Sequence, residues 1–318
     1  MRKPGGTKVA VIGVGLVGST YAYTLMMKGL AAEIVLYDRN RNRAEGQALD
    51  LNHGMPFVSP LRIYAGSLAD CADADLAVIA AGESQKPGQT RLDLLQANVA
   101  VTRQVVGGLA SHGFAGLILM ATNPVDVLAY AAWKFSQLPS ARVLGSGTIL
   151  DTARLRFLLG EHCGVDPRNI HAYVLGEHGD SELPAWSTAR IAGLSIADFC
   201  AACTRPCPEP TWDDLFMAVR DAAQDIIERK GATYYAIALG LARITESIVR
   251  DQKSVLTVST LVEDYLNLSD VYIGLPCVIG RDGVEKVIRP RLDQDETERL
   301  LASAATVRQA IESSGILG

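Results

Sequence analysis

One of the five histidines in the chain, His178, sits in a Gly-flanked acidic loop, V-L-G-E-H-G-D, residues 174–180. An imidazole whose ordinary pKa is about 6.5 can take and return a proton near neutral pH. A short apolar run from Tyr173 to Leu175 precedes the loop, so the ring is expected beside the end of a strand. Glu177 and Asp180 are its nearest acids in sequence. Further upstream, Asp151 and Arg154 stand three residues apart in R-V-L-G-S-G-T-I-L-D-T-A-R-L-R-F, residues 142–157. A strand is expected to give way at Gly145–Gly147 to a helix that carries both on one face. Asp151 is the candidate to accept a hydrogen bond from His178, fix its tautomer and stabilise the imidazolium. Arg154 suits a two-pronged grip on a carboxylate, a geometry that lysine does not reproduce. An ordinary surface ion pair explains the same spacing.

Three more polar residues stand where a ligand is expected. Arg91 closes the polar loop A-G-E-S-Q-K-P-G-Q-T-R and begins an amphipathic helix, so a closing lid can carry it into a site. Asn123, in A-T-N-P, offers an amide to cofactor or substrate, and Pro124 is expected to open a helix. Thr233 adjoins a helix break at Gly231 and can face a cavity, with helix capping as the competing explanation. Cys200, Cys203 and Cys207 form C-x2-C-x3-C without a fourth ligand at zinc-like spacing, so reduced thiols and no metal are expected.

The elements that position these groups begin with Thr7–Ile12, a β-branched run followed at once by G-V-G-L-V-G, residues 13–18. Gly13 permits a tight turn, Gly15 lets backbone approach a pyrophosphate, and Gly18 allows close helix–strand contact. The helix that follows offers free N–H groups to phosphates. The next strand, Glu33–Tyr37, ends at Asp38, whose carboxylate can bond both ribose hydroxyls and repel a 2′-phosphate. NAD is therefore expected over NADP, although Arg39 and Arg43 work against that exclusion; a helix cap is the other explanation of Asp38. Strands at Leu61–Ala65, Leu76–Ala80 and Gly116–Met120 alternate with helical patterns, the rhythm of a parallel sheet covered on both faces. In the second half, helices are expected over Asp213–Arg229, with Leu215, Val219, Ile226 and Ile227 on one face, and around Ile237–Ile248. Two antiparallel strands then lead to a closing helix, Gln294–Leu317, with Leu300, Leu301 and Ala304 inward. The expected fold is α/β: a Rossmann-type doubly wound parallel sheet, residues 1–146, for the dinucleotide, and a mixed α+β substrate domain, residues 147–318.

Composition agrees with an ordinary soluble globular protein and narrows its partners. The 318 residues are 48% hydrophobic and 20% charged, with a net charge of −5. That acidic balance argues against nucleic acid, which selects basic patches. No apolar run approaches the roughly 18 residues of a membrane span, and a cytoplasmic location is expected.

These motifs together resemble the bacterial-type NAD-dependent L-lactate dehydrogenases of the lactate/malate dehydrogenase superfamily. The resemblance rests on G-V-G-L-V-G, Q-K-P-G-Q-T-R-L-D-L, A-T-N-P-V-D, G-S-G-T-I-L-D-T-A-R and L-G-E-H-G-D, and it spans nearly the whole chain. It implies that His178 exchanges the proton, that Asp151 is its partner, and that Arg154 binds the carboxylate of pyruvate or lactate. Arg91 would polarise the reacting carbonyl, while Asn123 and Thr233 would line the pocket. Cofactor contacts are implied for Gly13, Gly15, Val17, Gly18, Asp38, Arg43, Gly82, Ala121, Thr122, Asn123 and Ser146. Gln85 stands where malate dehydrogenases carry an arginine, so a second substrate carboxylate would be buried without a partner. A malate or branched 2-hydroxy acid dehydrogenase, and a non-catalytic NAD-binding protein, are the competing expectations. Arg156 and His171 occupy positions that hold fructose 1,6-bisphosphate in activated relatives, and a homotetramer is implied. Glu83, Ser84 and Leu68 depart from the family pattern near the cofactor.

Overall fold

The computed structural model describes residues 6–83, 90–202 and 211–317. Gln85, Cys203 and Cys207 lie outside them, as does the side chain of Arg91. The first half alternates strand and helix: β1 (Lys8–Ile12), α1 (Leu16–Lys28), β2 (Glu33–Tyr37), α2 (Arg41–His53), β3 (Arg62–Ala65), α3 (Leu68–Cys71) and β4 (Leu76–Ile79). It continues through α4 (Arg91–Ser111), β5 (Leu117–Met120), α5 (Val125–Ser136) and β6 (Val143–Gly145). The four residues of β4 and of β5 are buried throughout, as a parallel strand covered on both faces requires. All neighbouring strands from β6 to β3 pair parallel in the order β6-β5-β4-β1-β2-β3. The order reverses beside β1, which places the Gly-rich turn at the switch point where such sheets bind ligands.

The second half opens with α6 (Ile149–Cys163), followed by β7 (Ile170–His171), β8 (Val174–Leu175), β9 (Leu183–Pro184), β10 (Arg190–Ile191), β11 (Leu194–Ser195) and α7 (Ile196–Ala202). Then come α8 (Trp212–Lys230), α9 (Tyr235–Val249), β12 (Ser254–Val262), β13 (Val271–Gly280), β14 (Gly283–Val287) and α10 (Gln294–Ser313). Strands β12 and β13 are antiparallel, as expected. They do not form a sheet of their own. Ser259 of β12 pairs with Gly145 of β6, so β12, β13 and β14 extend the parallel sheet to nine strands. Tyr21 on α1 and Thr245 on α9 share a buried hydrogen bond of 2.6 Å, which ties the halves together again.

Three local expectations need correction. The closing helix ends at Ser313 rather than Leu317, and Leu301 points outward while Leu300 and Ala304 are buried. A 100° step per residue carries Leu301 off the stripe that Leu300, Ala304, Val307 and Ile311 define. On α8, Leu215, Phe216 and Val219 are buried, but Ile227 lies exposed on the last turns, which run beyond the core. Pro124 caps α5 instead of opening it, and the first helical residue is Val125.

Candidate active site

The three glycines of the first turn do different work. Gly13 has φ +90°, and a Cβ there would meet the backbone of Ala81 at 2.4 Å. At Gly18 a Cβ would lie 1.9 Å from the carbonyl oxygen of Gly13. Gly15 has open space in front of it, at the N-cap of α1, where unpaired N–H groups and the helix dipole face outward. Thus Gly13 and Gly18 are required by packing, and Gly15 leaves room for a diphosphate. Val17 is half-buried on the first turn of α1.

Asp38 follows β2 directly and accepts hydrogen bonds from the N–H groups of Val14, at 3.1 Å, and Asn40, at 2.9 Å. It is not the helix cap, because the side chain of Asn40 caps α2 by accepting from the N–H of Arg43. Arg43 faces Asp38 at 3.9 Å, and the exposed Arg39 faces Glu83 at 3.4 Å. Both arginines are therefore directed at carboxylates. Across the same sheet end lie Gly82, whose missing Cβ leaves space for Thr122, and Ala121, Thr122 and Asn123 after β5. The N–H of Ser146 donates to Met120 across from β6. Leu68 packs over Gly108 on α4. The residues present fit a dinucleotide: a glycine cradle at a helix N-terminus, and a carboxylate one strand away.

At the far side of this sheet end, α6 delivers Asp151 and Arg154 to His178. Thr148 donates its hydroxyl to the carbonyl of Val174 at 2.6 Å, and the N–H of Val174 donates to the hydroxyl of Thr152 at 3.0 Å. Two threonines four apart therefore fasten β8 along the helix. Paired bonds between Gly176 and Gly274, 3.0 and 2.7 Å, fasten the start of the loop to β13. Gly176 has φ +90°, and a Cβ would meet the hydroxyl of Ser303, so glycine is required there. In this frame His178 Nδ1 lies 2.7 Å from Asp151 Oδ2, and Arg154 donates to Asp151 Oδ1 at 2.9 Å. Asp151 is 2% exposed, which rules out the surface ion pair as an account of its spacing with Arg154.

Burial is the largest influence on His178 and pulls its pKa down, but the charge and hydrogen bond of Asp151 outweigh it, leaving it raised to about 9. Burial likewise pushes Asp151 up, yet His178 and Arg154 bring its carboxyl below the ordinary value. Nε2, the ring nitrogen that Asp151 does not engage, is available for chemistry. Of the sequence neighbours, Glu177 accepts from the hydroxyl of Ser181, and Asp180 is exposed.

Two acids in this frame escaped the sequence reading. Asp126, in the first turn of α5, is fully enclosed. It accepts from the backbone N–H of His178 at 2.8 Å and from the hydroxyl of Ser259 at 2.6 Å. Burial raises its pKa to about 6 against those bonds. Glu182, just before β9, is 5% exposed and close to both Asp151 and His178. Asp126 belongs to the quoted A-T-N-P-V-D stretch, and its place in a helix's first turn was the only signal available. Glu182 gave none, since only the fold brings it to Asp151.

The other predicted residues fall as follows. Asn123 is exposed, with its carbonyl accepting from Asn98 at 3.2 Å. Thr233 is half-buried ahead of α9, whose N-cap is Tyr234, so helix capping does not account for it. Arg156 on α6 donates to the carbonyl of Ala172 at 3.0 Å, next to the exposed His171 on β7. Asp151, His178 and Glu182 have potential ligand atoms within 4.8 Å of one another, but Asp151 already bridges His178 and Arg154. Cys71 and Cys277 are buried thiols.

A nucleotide-binding sheet end that faces an Asp–His pair and an arginine defines a nicotinamide-dependent dehydrogenase. The lactate/malate dehydrogenase NAD binding domain matches residues 7–145, and the family's alpha/beta C-terminal domain matches 148–315. The chain belongs to the lactate/malate dehydrogenase family, and NAD is its cofactor. It is 52% identical over 315 residues to an L-lactate dehydrogenase of Geobacillus thermodenitrificans, covering 99% of each chain. It is 53% identical over 308 residues to that of Priestia megaterium, covering 96% of each. Its fold superposes with a TM-score of 0.94 on a lactate dehydrogenase from a Medee basin deep-sea metagenome library, at 44% identity and 99% coverage of both chains.

Proposed function

We propose that the chain is an NAD-dependent L-lactate dehydrogenase that interconverts pyruvate and L-lactate. The observation that carries this reading is the His178–Asp151–Arg154 cluster, held at 2.7 and 2.9 Å beside the nucleotide end of the sheet. NAD, when bound, supplies the hydride acceptor for lactate oxidation and its reduced form the donor for pyruvate reduction. In reduction, His178 Nε2 gives its proton to the carbonyl oxygen of pyruvate as that oxygen gains charge. Asp151 keeps the Nδ1–H in place and stabilises the charged ring. Arg154 holds the carboxylate, and Arg91 polarises the carbonyl when its loop closes and excludes water. Asn123 and Thr233 line the pocket. Gln85 leaves a second carboxylate without a counter-charge, which favours pyruvate over oxaloacetate. Residues 1–146 bind the cofactor, through Gly13, Gly15, Val17, Gly18, Asp38, Arg43, Gly82, Ala121, Thr122, Asn123 and Ser146, and residues 147–318 supply the substrate side.

NADH oxidation followed with pyruvate, oxaloacetate and a bulkier 2-keto acid tests this reading. Pyruvate is expected to be turned over fastest. Faster oxaloacetate turnover would overturn the Gln85 argument, and no turnover with any keto acid would remove the enzyme reading altogether. Arg156 and His171 are further proposed to bind fructose 1,6-bisphosphate; their adjacency across Ala172 supports this. A cytoplasmic location is part of this proposal; among the described residues no helix is long and apolar enough to cross a membrane.

A further inference from the structure

We propose that Glu182 is a positioning residue for the Asp151–His178 pair: as a neutral carboxylic acid it donates a hydrogen bond to the Asp151 carboxylate, so that one negative charge rather than two borders the histidine. The inference rests on the reading of His178 as the proton donor, and it names a third member of that relay.

Glu182 is 5% exposed at the end of the loop that carries His178. Among the described residues no donor reaches its Oε1. A carboxylate in that position would be a buried charge with an orphaned oxygen, an expensive arrangement. Its carboxyl is within reach of the Asp151 carboxylate, and both lie close to His178. Two acids sharing an enclosed site do not both ionise. The proton goes to the one with fewer cationic partners. Asp151 has His178 and Arg154 at hydrogen-bonding distance, and Arg154 aims its Nη1 at Asp151. Burial and the charge of Asp151 push Glu182 up to about 9, in the same direction. A proton on Glu182 supplies the hydrogen bond that the cluster otherwise lacks.

The consequence is control of His178. The groups that face it are Asp151 from α6, Asp126 from α5 and Glu182 from the end of its own loop, with Arg154 on the other oxygen of Asp151. A hydrogen bond from neutral Glu182 spreads the charge of Asp151 and moderates its pull on the imidazole proton. An ionised Glu182 would do the reverse and hold His178 more firmly protonated.

Infrared difference spectra and pH profiles of Glu182→Gln and Glu182→Leu test this. At neutral pH the wild-type enzyme should show the C=O stretch of a protonated carboxylic acid that vanishes in Glu182→Gln. The glutamine keeps a neutral donor, so the apparent pKa in kcat/KM for pyruvate should stay within about 0.3 of wild type. Glu182→Leu removes the donor and should raise that pKa by about one unit. The proposal is overturned if the infrared band is missing, if Glu182→Gln lowers the apparent pKa by about one unit, or if Glu182→Leu titrates like wild type. NADH affinity and thermal midpoints confirm folding, and should the leucine variant not fold, the glutamine variant and the spectrum still decide. The infrared band needs no turnover, so it stands or falls separately from the dehydrogenase reading.

Discussion

His178 is raised to about 9 because the influence of Asp151 overcomes burial, and this has consequences for both rate and stability. Reduction needs the imidazolium, so kcat/KM for pyruvate should be level at neutral pH and fall as pH rises through about 9. His178→Ala should lower turnover by about 10²–10⁴-fold while NADH still binds; stopped-flow titration separates the two, and near-normal turnover would refute the role. The unfolded imidazole titrates near 6.5, so between that value and about 9 the folded chain binds more protons than the unfolded one. The stabilisation from this pair is therefore complete below the lower value and lost as pH climbs through the upper one. Asp151→Asn should flatten that part of a denaturation series taken against pH.

At the scale of elements, the Gly-rich turn separates packing from binding. Gly15 stands before open space with φ −69°, so Gly15→Ala should leave the thermal midpoint nearly unchanged yet weaken NADH binding. Gly18→Ala drives a methyl against the Gly13 carbonyl and should cost about 1–3 kcal/mol of stability in denaturant titration. If both variants lost stability equally, the open face at Gly15 would be misassigned. Asp126 ties three elements together: α5 provides the acid, β12 the Ser259 hydroxyl, and the β8–β9 loop the N–H of His178. Asp126→Ala strands two donors and should destabilise the fold by about 2–5 kcal/mol, with a larger loss in kcat than in NADH affinity. Asp126→Asn keeps an acceptor and should recover part of both.

For the whole molecule, α1, α2 and the turn after it leave Leu16, Met27, Leu49 and Phe57 exposed, Phe57 at 88%. Large apolar side chains so presented on one chain are suited to burial against a second copy, and we propose the homotetramer that the family resemblance implies. Sedimentation should show a species of four chains, and Phe57→Glu should yield smaller ones; a wild-type monomer at micromolar concentration would reject the proposal. Fructose 1,6-bisphosphate titrated against pyruvate saturation should lower the half-saturating concentration, and Arg156→Gln should remove that response. Unchanged curves would dismiss the effector.

The sequence by itself determined the parts whose physics is local. Gly13, Gly15 and Gly18 at their spacing, the strand before them and Asp38 after the next strand dictate a dinucleotide turn, because turn geometry and strand polarity are properties of neighbouring residues. It also placed Asp151 and Arg154 on one helical face. Asp151 was already the candidate partner of His178, but how the ring is brought to it was a tertiary matter. Glu177 and Asp180 are its neighbours along the chain, but the threonine fastenings of β8 to α6 turn the ring to Asp151, 27 residues away. Asp126 and Glu182 came to light only in the fold, because a buried acid is defined by what encloses it. The extension of the sheet by β12 through Ser259 and Gly145 was likewise invisible, since strand pairing across a hundred residues leaves no periodic trace. His178 was found by its residue type and its glycines; its pKa and its partners were decided by packing.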